Sequence, residues 1–208
     1  MFAYKGKTYP TVFLDFDGVI ADTNPVKERH IRQSVEKYAE TEQADAFVQY
    51  FMENSGIPRE KKVLSRFDRD TGLAILQDYS RRNMQAFSTM ELTEGCDAFL
   101  EQCRRNGTAL HVLSGGDEAE IRHILQHNGP SRFDSILSGP ETKAEHLSRL
   151  DFRKPALFIG DSRYDHQVAL SYGLDFVFMS GYTRFNGWQV YFQESQSHQI
   201  VSNFKEML

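Results

Sequence analysis

Short apolar runs alternate with amphipathic segments along most of the chain. Continuous apolar runs predict buried strands at 12–14, 109–113, 156–159 and 176–178, and a further strand is predicted at 133–137. The run at 12–14 is apolar on both faces, which is typical of a parallel sheet covered on both sides. Because strands and helices alternate, the pattern predicts an α/β fold with a Rossmann-like parallel sheet.

Start and stop signals bound the helices between these strands. A helix predicted at 96–106 ends before Gly107. Asp117 and Glu120 resemble a capping pair at the start of the next helix. The last residues, 200–207, are predicted to form a final helix.

A long helical region separates the first strand from the rest of the sheet. Residues 25–90 show apolar positions at helical spacing and no strand signal, with turn-forming residues at 56–58 and 70–72. This region is long enough to form a small module of its own. The sequence therefore predicts an α/β core at 1–22 and 92–208 and an inserted all-helical cap domain at 23–91.

Acidic residues follow the predicted strands. Asp15 and Asp17 follow the first strand, and Asp161 follows the strand at 156–159, with Asp165 one helical turn later. The carboxyl ends of parallel strands meet at one edge of a sheet, so these carboxylates are expected to lie together. Crowded carboxylates repel one another unless a cation neutralises them. Oxygen ligands favour Mg²⁺, which commonly shares its coordination shell with a phosphate.

Composition and charge exclude several classes of protein. The chain has 208 residues, with 24 Lys and Arg against 29 Asp and Glu, and the net charge of −5 argues against a nucleic-acid partner. No apolar run reaches the ~18–20 residues of a membrane span, so no membrane partner is expected. Two cysteines cannot form a disulfide scaffold. The amino terminus lacks the apolar region of a signal peptide, and a cytoplasmic protein is therefore expected.

Four stretches of the sequence resemble the motifs of the haloacid dehalogenase superfamily, in that family's order. DFDGVIADT at 15–23 resembles the first motif, and Ser114 after a strand is similar to the second. Lys143 is similar in position to the third motif, and GDSRYD at 160–165 resembles the fourth. The helical insertion after the first motif resembles the cap of the phosphoglycolate phosphatase-like branch.

The resemblance implies a Mg²⁺-dependent phosphatase whose partner is a small phosphate ester. Asp15 would attack phosphorus and form an aspartyl phosphate. Asp17 would protonate the leaving oxygen and later deprotonate the attacking water, a role for which a raised pKa is expected. Dehalogenating relatives lack an acid at the position of Asp17, so a dehalogenase is disfavoured.

The resemblance also implies the ligand-binding residues. Mg²⁺ would be held by Asp15, Asp161 and the carbonyl of Asp17, with Asp165 as a direct ligand or a support. Three further groups would bind the transferring phosphoryl oxygens: the Ser114 side chain, the Gly115 amide and Lys143.

The cap is expected to supply specificity, because phosphate and metal are all that the core recognises. Within the cap, the turn at 56–59 is the best candidate to face the core. Arg59 in this turn is expected to contact an anionic or hydroxylated leaving group. A small phosphorylated metabolite, such as a sugar phosphate or a phosphoglycolate-like acid, is the expected substrate.

Three alternatives compete with this interpretation. Phosphomutase relatives have a similar first motif but carry a histidine four residues beyond its threonine, where this chain has Lys27. A catalytically silent protein that binds a phosphate ligand is the second alternative. His123 and His127 have the spacing of a zinc pair, but a surface helix is favoured because no glutamate base lies between them.

Overall fold

The computed structural model describes residues 1–128, 133–193 and 198–208 and is centred on a six-stranded sheet. In chain order the strands are β1 (Phe2–Tyr4), β2 (Lys7–Tyr9), β3 (Thr11–Leu14), β4 (Ala109–Asp117), β5 (Ser135–Gly139), β6 (Ala156–Gly160), β7 (Asp175–Met179) and β8 (His198–Val201). The sheet has the order β5-β4-β3-β6-β7-β8, and all neighbouring pairs are parallel. The predicted α/β fold with a Rossmann-like parallel sheet is therefore confirmed.

Strand β3 lies in the middle of the sheet and fixes the positions of its neighbours. Leu14 is in register with Val112 of β4 and with Ile159 of β6. Strands β3 and β6 consequently end at nearly the same level, whereas β4 continues beyond it to Asp117. The residues that follow β3 and β6, and those near the end of β4, come together at one edge although they are far apart in sequence.

Helices cover both faces of the sheet: α5 (Cys96–Arg105), α6 (Glu118–His127), α7 (Lys143–Arg149), α8 (Arg163–Tyr172) and α9 (Trp188–Gln193). Side chains alternate between the two faces along β3, as strand geometry requires. Val12 and Leu14 join an apolar cluster with Phe99 of α5. Phe13 joins the opposite cluster with Val168 of α8. This double coverage explains why every residue of β3 is buried.

Four α-helices lie between β3 and α5: α1 (Asn24–Val35), α2 (Thr41–Glu53), α3 (Arg59–Leu64) and α4 (Arg69–Ala86). We call residues 24–86 the helical segment. Its apolar residues form a cluster of their own around Ile31, Val48 and Ile75. Helices without an intervening strand were predicted here, and the structure confirms them.

The chain enters and leaves the helical segment at neighbouring points. Ala21, before α1, forms an antiparallel bridge with Leu92, after α4. The amide of Thr93 donates to the carbonyl of Ile20 at 2.9 Å. These bonds join the two connections directly beside the loop that follows β3.

The prediction of a helix at 200–207 is wrong in its first part. Ile200 and Val201 belong to β8 and pair with Phe178 and Met179 of β7. A β-branched pair beside the open edge of β7 favours a strand over a helix. A short 3₁₀ turn, Phe204–Met207, follows the strand.

Two other details differ from the sequence-based expectations. The hairpin of β1 and β2 was not predicted; it turns at Lys5 and Gly6, which both have positive φ angles, of 48° and 79°. Phe2 anchors the hairpin by packing edge-on against Phe99, with ring centroids 4.9 Å apart. Strand β5 lies two residues later than predicted, at Ser135–Gly139.

Candidate active site

Three carboxylates meet where β3 and β6 end. Asp15 directly follows β3, Asp161 directly follows β6, and Asp165 lies in the first turn of α8. All three side chains are buried, and one oxygen of each lies within 4.8 Å of the others. The structure thus brings together the acidic residues that the sequence placed at strand ends.

Lys143 is the cation among these carboxylates. It is fully buried, and its Nζ lies 2.9 Å from Asp15 Oδ1 and donates to Asp165 Oδ1. Burial lowers the pKa of Lys143, but the two carboxylates outweigh burial and hold it above the ordinary value. Helix α7 begins at Lys143, after a capping box formed by Thr142 and Glu145, and this fixes the lysine at the sheet edge.

Asp165 is held on both of its oxygens. Oδ1 accepts from Lys143, and Oδ2 accepts from the amide and hydroxyl of Ser162 at 3.1 and 2.7 Å. The Ser162 hydroxyl in turn accepts from the Asp165 amide, which completes a capping box at the start of α8. The sequence motif therefore both begins the helix and fixes the carboxylate beside Asp15.

One ammonium does not offset three buried carboxylates. Burial raises the pKa of Asp15 to about 7, and the charges of Asp165 and Asp17 add to this rise while Lys143 opposes it. Burial, followed by the charges of Asp15 and Asp165, raises the pKa of Asp161 well above its ordinary value. When its carboxylates are ionised, the cluster therefore carries an excess of negative charge that a cation would relieve.

Asp161 supplies the observation that best fits a cation. Its Oδ2 accepts from Asn24 Nδ2 at 3.1 Å, but its buried Oδ1 has no hydrogen-bond partner among the described residues. Gly18 allows the loop after β3 to come this close, because a Cβ there would lie 2.2 Å from Asp161 Oδ2. A buried set of oxygen donors with one unpartnered atom suits a hard divalent ion such as Mg²⁺.

The Asp17 carboxylate lies outside this cluster and has partners in and beside α1. Lys27 Nζ donates to Asp17 Oδ1 at 2.5 Å, and the Thr23 hydroxyl donates to the same oxygen. Burial raises the pKa of Asp17, but the charge and hydrogen bond of Lys27, together with Thr23, outweigh burial and bring the pKa below its ordinary value. This direction is opposite to the raised pKa expected of a general acid.

Lys27 belongs to the site, but its contact with Asp17 is not predicted from the sequence. In the sequence it stands out only as a departure from the phosphomutase pattern. The available signal was its place one turn beyond Thr23, at the start of α1, where a side chain can turn back towards the preceding loop.

The end of β4 supplies small residues beside Asp17. Ser114 is buried, and its Oγ accepts from the amide of Gly116 at 3.0 Å. A Cβ at Gly115 would lie 2.3 Å from the carbonyl oxygen of Gly56, so the turn before α3 touches the core here. The predicted approach of the 56–59 turn to the core agrees with this contact.

A narrow cleft, open to solvent, lies between the sheet edge and the helical segment. Its walls from the core include Asp15, Asp17 and the 114–116 stretch. The helical segment contributes Lys27, Phe51, Arg59, Lys62 and Tyr79, among others. Asp15 and Asp17 of the first motif and the cations of the helical segment therefore share one cavity.

Arg59 lines this cleft, but its charge already has a partner. The guanidinium donates to both oxygens of Glu120 on α6, at 2.7 and 2.6 Å, and to Ser80 Oγ at 3.1 Å. It also lies over the ring of Tyr79, 5.0 Å from the centroid. Asp117 caps α6 and accepts from the amide of Glu120, as predicted, but the Glu120 side chain accepts from Arg59 and from Asn83.

Two remaining observations concern metal and membrane alternatives. Within the described parts of the chain, His123 and His127 belong to no cluster of potential metal ligands. Across those same residues, the helices are all too short or too polar to cross a bilayer.

Comparisons with known proteins agree with this architecture. A search of curated proteins found no match. A protein from Bacteroides fragilis assigned as a haloacid dehalogenase-like hydrolase has a similar structure, with a TM-score of 0.77 and 20% identity over 97% of this chain and 100% of that one. CbbY from Rhodobacter sphaeroides in complex with phosphate has a TM-score of 0.72 and 15% identity over 96% of both chains.

A third similar structure contains a metal. YfnB from Bacillus subtilis, assigned as a HAD-hydrolase and bound to magnesium, has a TM-score of 0.67 and 17% identity over 97% of both chains. At such identities, these structures show a shared fold. The sequence itself matches the family described as haloacid dehalogenase-like hydrolase over residues 12–179. Because this match spans most of the chain, the protein belongs to the haloacid dehalogenase-like hydrolases.

Proposed function

We propose that this hydrolase is a Mg²⁺-dependent phosphatase that acts on a small phosphorylated metabolite through an aspartyl phosphate. The observation that carries the proposal is the buried cluster of Asp15, Asp161 and Asp165 around Lys143, with Asp17 in the same cleft. Phosphate in CbbY and magnesium in YfnB support this assignment.

Mg²⁺ would be held by Asp15 and Asp161, with Asp165 as a direct ligand or a support and with the carbonyl of Asp17. When bound, it supplies positive charge that stabilises the phosphoryl oxygens during transfer. Asp161 Oδ1, which has no hydrogen-bond partner in the described part of the chain, supports this set. Lys143 adds a permanent positive charge beside the nucleophile.

Asp15 is the proposed nucleophile because its carboxylate is rigidly held at the end of β3. Its Oδ1 accepts from the Phe16 amide at 2.7 Å and lies 2.9 Å from Lys143 Nζ. In the first step a carboxylate oxygen of Asp15 forms a bond to phosphorus, while the bond from phosphorus to the leaving oxygen breaks. Asp17 in its protonated form, which the ion pair with Lys27 disfavours, gives a proton to that oxygen, and the dephosphorylated product leaves.

In the second step, water attacks the phosphorus of the aspartyl phosphate. Asp17 takes a proton from this water, the bond between Asp15 and phosphorus breaks, and inorganic phosphate is released. The ion pair with Lys27 favours the ionised form of Asp17, which this step requires. Ser114, the amide of Gly115 and Lys143 are proposed to bind the phosphoryl oxygens.

The helical segment is proposed to act as a separate cap that encloses the substrate. It provides the cleft wall opposite Asp15, and the contact between Gly56 and Gly115 brings this wall against the core. Such enclosure limits access of bulk water to the reacting group. A cytoplasmic location and a small, soluble substrate complete the proposal.

The test is the release of inorganic phosphate from p-nitrophenyl phosphate with Mg²⁺ or with EDTA. We expect turnover with Mg²⁺ and a loss of at least ~10⁴-fold in Asp15→Asn, since removal of a nucleophile commonly abolishes covalent catalysis. Asp151→Asn, an exposed aspartate, is the control. Normal turnover by Asp15→Asn, with the fold checked by circular dichroism, would exclude the proposed nucleophile.

The phosphomutase alternative is tested in the same assay. A mutase returns the phosphoryl group to its substrate, so it would form a phosphate isomer in place of free phosphate. Lys27, which stands at the position of the mutase histidine and binds Asp17, favours hydrolysis. Isomer formation from a sugar phosphate without phosphate release would reverse this choice.

A further inference from the structure

The helical segment places three buried cations in the cleft, Lys27, Arg59 and Lys62, each at most 8% exposed. Two of them have carboxylate partners. Lys27 lies 2.5 Å from Asp17, and Arg59 forms a two-bond ion pair with Glu120. Their charges are therefore compensated within the protein.

Lys62 differs from the other two. Within the part of the chain that the structure describes, no carboxylate oxygen lies within 4.0 Å of its Nζ. The ammonium donates to the carbonyl of Phe51 at 3.0 Å and lies 3.7 Å from the centroid of the Phe51 ring. An ammonium has three hydrogens to donate, and the Phe51 carbonyl accepts one of them.

A buried ammonium without a counter-ion is unfavourable. Burial, followed by the positive charge of Lys27, lowers the pKa of Lys62 to about 7. Asp17 opposes this shift, and Arg59 adds to it. An anion beside Lys62 would reverse the shift and recover part of the cost of burying the charge.

The geometry of α3 directs Lys62 into the cleft. Arg59 and Lys62 are three residues apart, so they share one side of the helix, and both line the cavity that contains Asp15 and Ser114. The adjacent Lys61 points elsewhere: its side chain is 49% exposed and lies 3.5 Å from Glu145. One lysine of this pair is therefore buried at the cavity, and its neighbour is exposed.

We propose that Lys62 binds a second anionic group of the substrate, a carboxylate or a second phosphate, while the sheet edge binds the phosphate that is hydrolysed. This inference rests on the proposed function, because it assumes a phosphate ester in the cleft. It narrows the substrate to small phosphate esters that carry another negative charge away from the scissile bond.

The test compares matched probes that differ in one anionic group. One pair is 3-phosphoglycerate and glycerol 3-phosphate, which differ by a carboxylate. The other pair is fructose 1,6-bisphosphate and fructose 6-phosphate, which differ by a phosphate. For the wild type we expect kcat/KM to be at least about 10-fold higher for the more anionic member of one pair, and that pair identifies the group.

Lys62→Met should reduce this preference about 10- to 100-fold, mainly through KM, as expected when a charge-assisted hydrogen bond is lost. Lys61→Met removes the same charge from the exposed face of α3 and should keep the preference. Lys62→Arg retains the charge and should keep part of the preference. It also serves as the informative variant if Lys62→Met does not fold.

Binding of the four probes to Asp15→Asn, measured by calorimetry, separates this inference from the proposed function. If the wild type hydrolyses no ester but the variant binds one of the more anionic probes at least about 10-fold more tightly than its partner, the phosphatase proposal fails and the Lys62 site stands. If kcat/KM and binding affinity are equal for both members of each pair, the proposal for Lys62 is wrong. The proposal is also wrong if Lys61→Met and Lys62→Met lose the preference for the more anionic probe to the same extent.

Discussion

The two walls of the cleft carry unbalanced charges of opposite sign. The core contributes the acidic rim, which consists of Asp15 in the cleft wall and of Asp161 and Asp165 next to it. The helical segment contributes the cationic face, which consists of Lys27, Arg59 and Lys62. The rim has one ammonium for three carboxylates, whereas the face has two carboxylate partners for three cations.

This difference divides the proposed work of the site between the two walls. Excess negative charge on the rim favours a divalent cation, and excess positive charge on the face favours an anion. A phosphate ester that bridges the walls, with Mg²⁺ on one side, would meet both needs. The chemistry would then depend on the core and on Lys27, which pairs with Asp17, and the choice of substrate would depend on the rest of the helical segment.

The largest effect is expected when the acidic rim is broken. Asp161→Asn removes a proposed metal ligand and should lower phosphate release by about 10⁴-fold, which corresponds to about 5 kcal/mol of transition-state stabilisation. Phosphate release from p-nitrophenyl phosphate at saturating Mg²⁺ is the measurement, with Asp151→Asn as the control. A variant that keeps a tenth of the activity would show that the rim is not the metal site.

The next effect tests whether the core neutralises the cationic face. Arg59→Leu leaves the buried carboxylate of Glu120 without its two-bond partner and should lower the free energy of unfolding by about 3–5 kcal/mol. The double variant Arg59→Leu/Glu120→Leu should recover more than half of this loss. Urea denaturation measures both. Equal stabilities of Arg59→Leu and the wild type would mean that this contact does not hold the two walls together.

A smaller effect is expected when the ion pair across the cleft is removed. Lys27→Met takes away the strongest influence that lowers the pKa of Asp17, so the pKa should rise. Asp17 must be ionised to deprotonate water, and the acidic limb of the kcat profile should therefore move to higher pH. We expect kcat near pH 6 to fall about 10-fold, which corresponds to about 1.4 kcal/mol. Lys27→Arg should retain the wild-type profile, and an unshifted profile in Lys27→Met would exclude this role.

The smallest effect concerns stability as a function of pH. Folding raises the pKa of Asp15 to about 7 and that of Asp161 in the same direction, from ordinary values of 3.8. Between these values the folded state binds more protons than the unfolded state, so stability falls as pH rises. In EDTA, Tm should decrease by a few °C from pH 5 to pH 7, since 1 kcal/mol corresponds to about 2–4 °C in a chain of this size.

Metal binding is expected to change this dependence of Tm on pH. Mg²⁺ stabilises the ionised carboxylates, so it should reduce the decrease in Tm, and Asp161→Asn in EDTA should reduce it as well. Calorimetry at the two pH values measures each case. A Tm in EDTA that does not change with pH would mean that the rim is not protonated as proposed.

Much of the sheet edge could be predicted from the sequence. Strand β3 is apolar on both faces, and this pattern places it inside a parallel sheet. Once the strands are parallel, Asp15 and Asp161 must follow their carboxyl ends at the same edge, whatever their separation in sequence. Local pattern and topology were therefore sufficient to bring these residues together.

The cationic face could not be predicted in the same way. Lys27, Lys62 and Glu120 lie on amphipathic helices, where a charged residue is ordinarily assigned to the solvent side. They are buried because the helical segment lies against the core, a contact that depends on tertiary packing. The hairpin of β1 and β2 was missed for a related reason: strands of three residues are too short to show a clear period.

The chain enters and leaves the helical segment at paired positions, and this limits what an exchange of the segment would disturb. Ala21 and Leu92 already pair with each other, so the two ends of the insertion are held together by the core itself. A helical module of another size or shape can be grafted between these two points without spreading the strands below. Chimeras made at this junction would exchange the wall that is proposed to choose the substrate, and the new module would have to supply partners for Asp17, Asp161 and Glu120 in place of Lys27, Asn24 and Arg59.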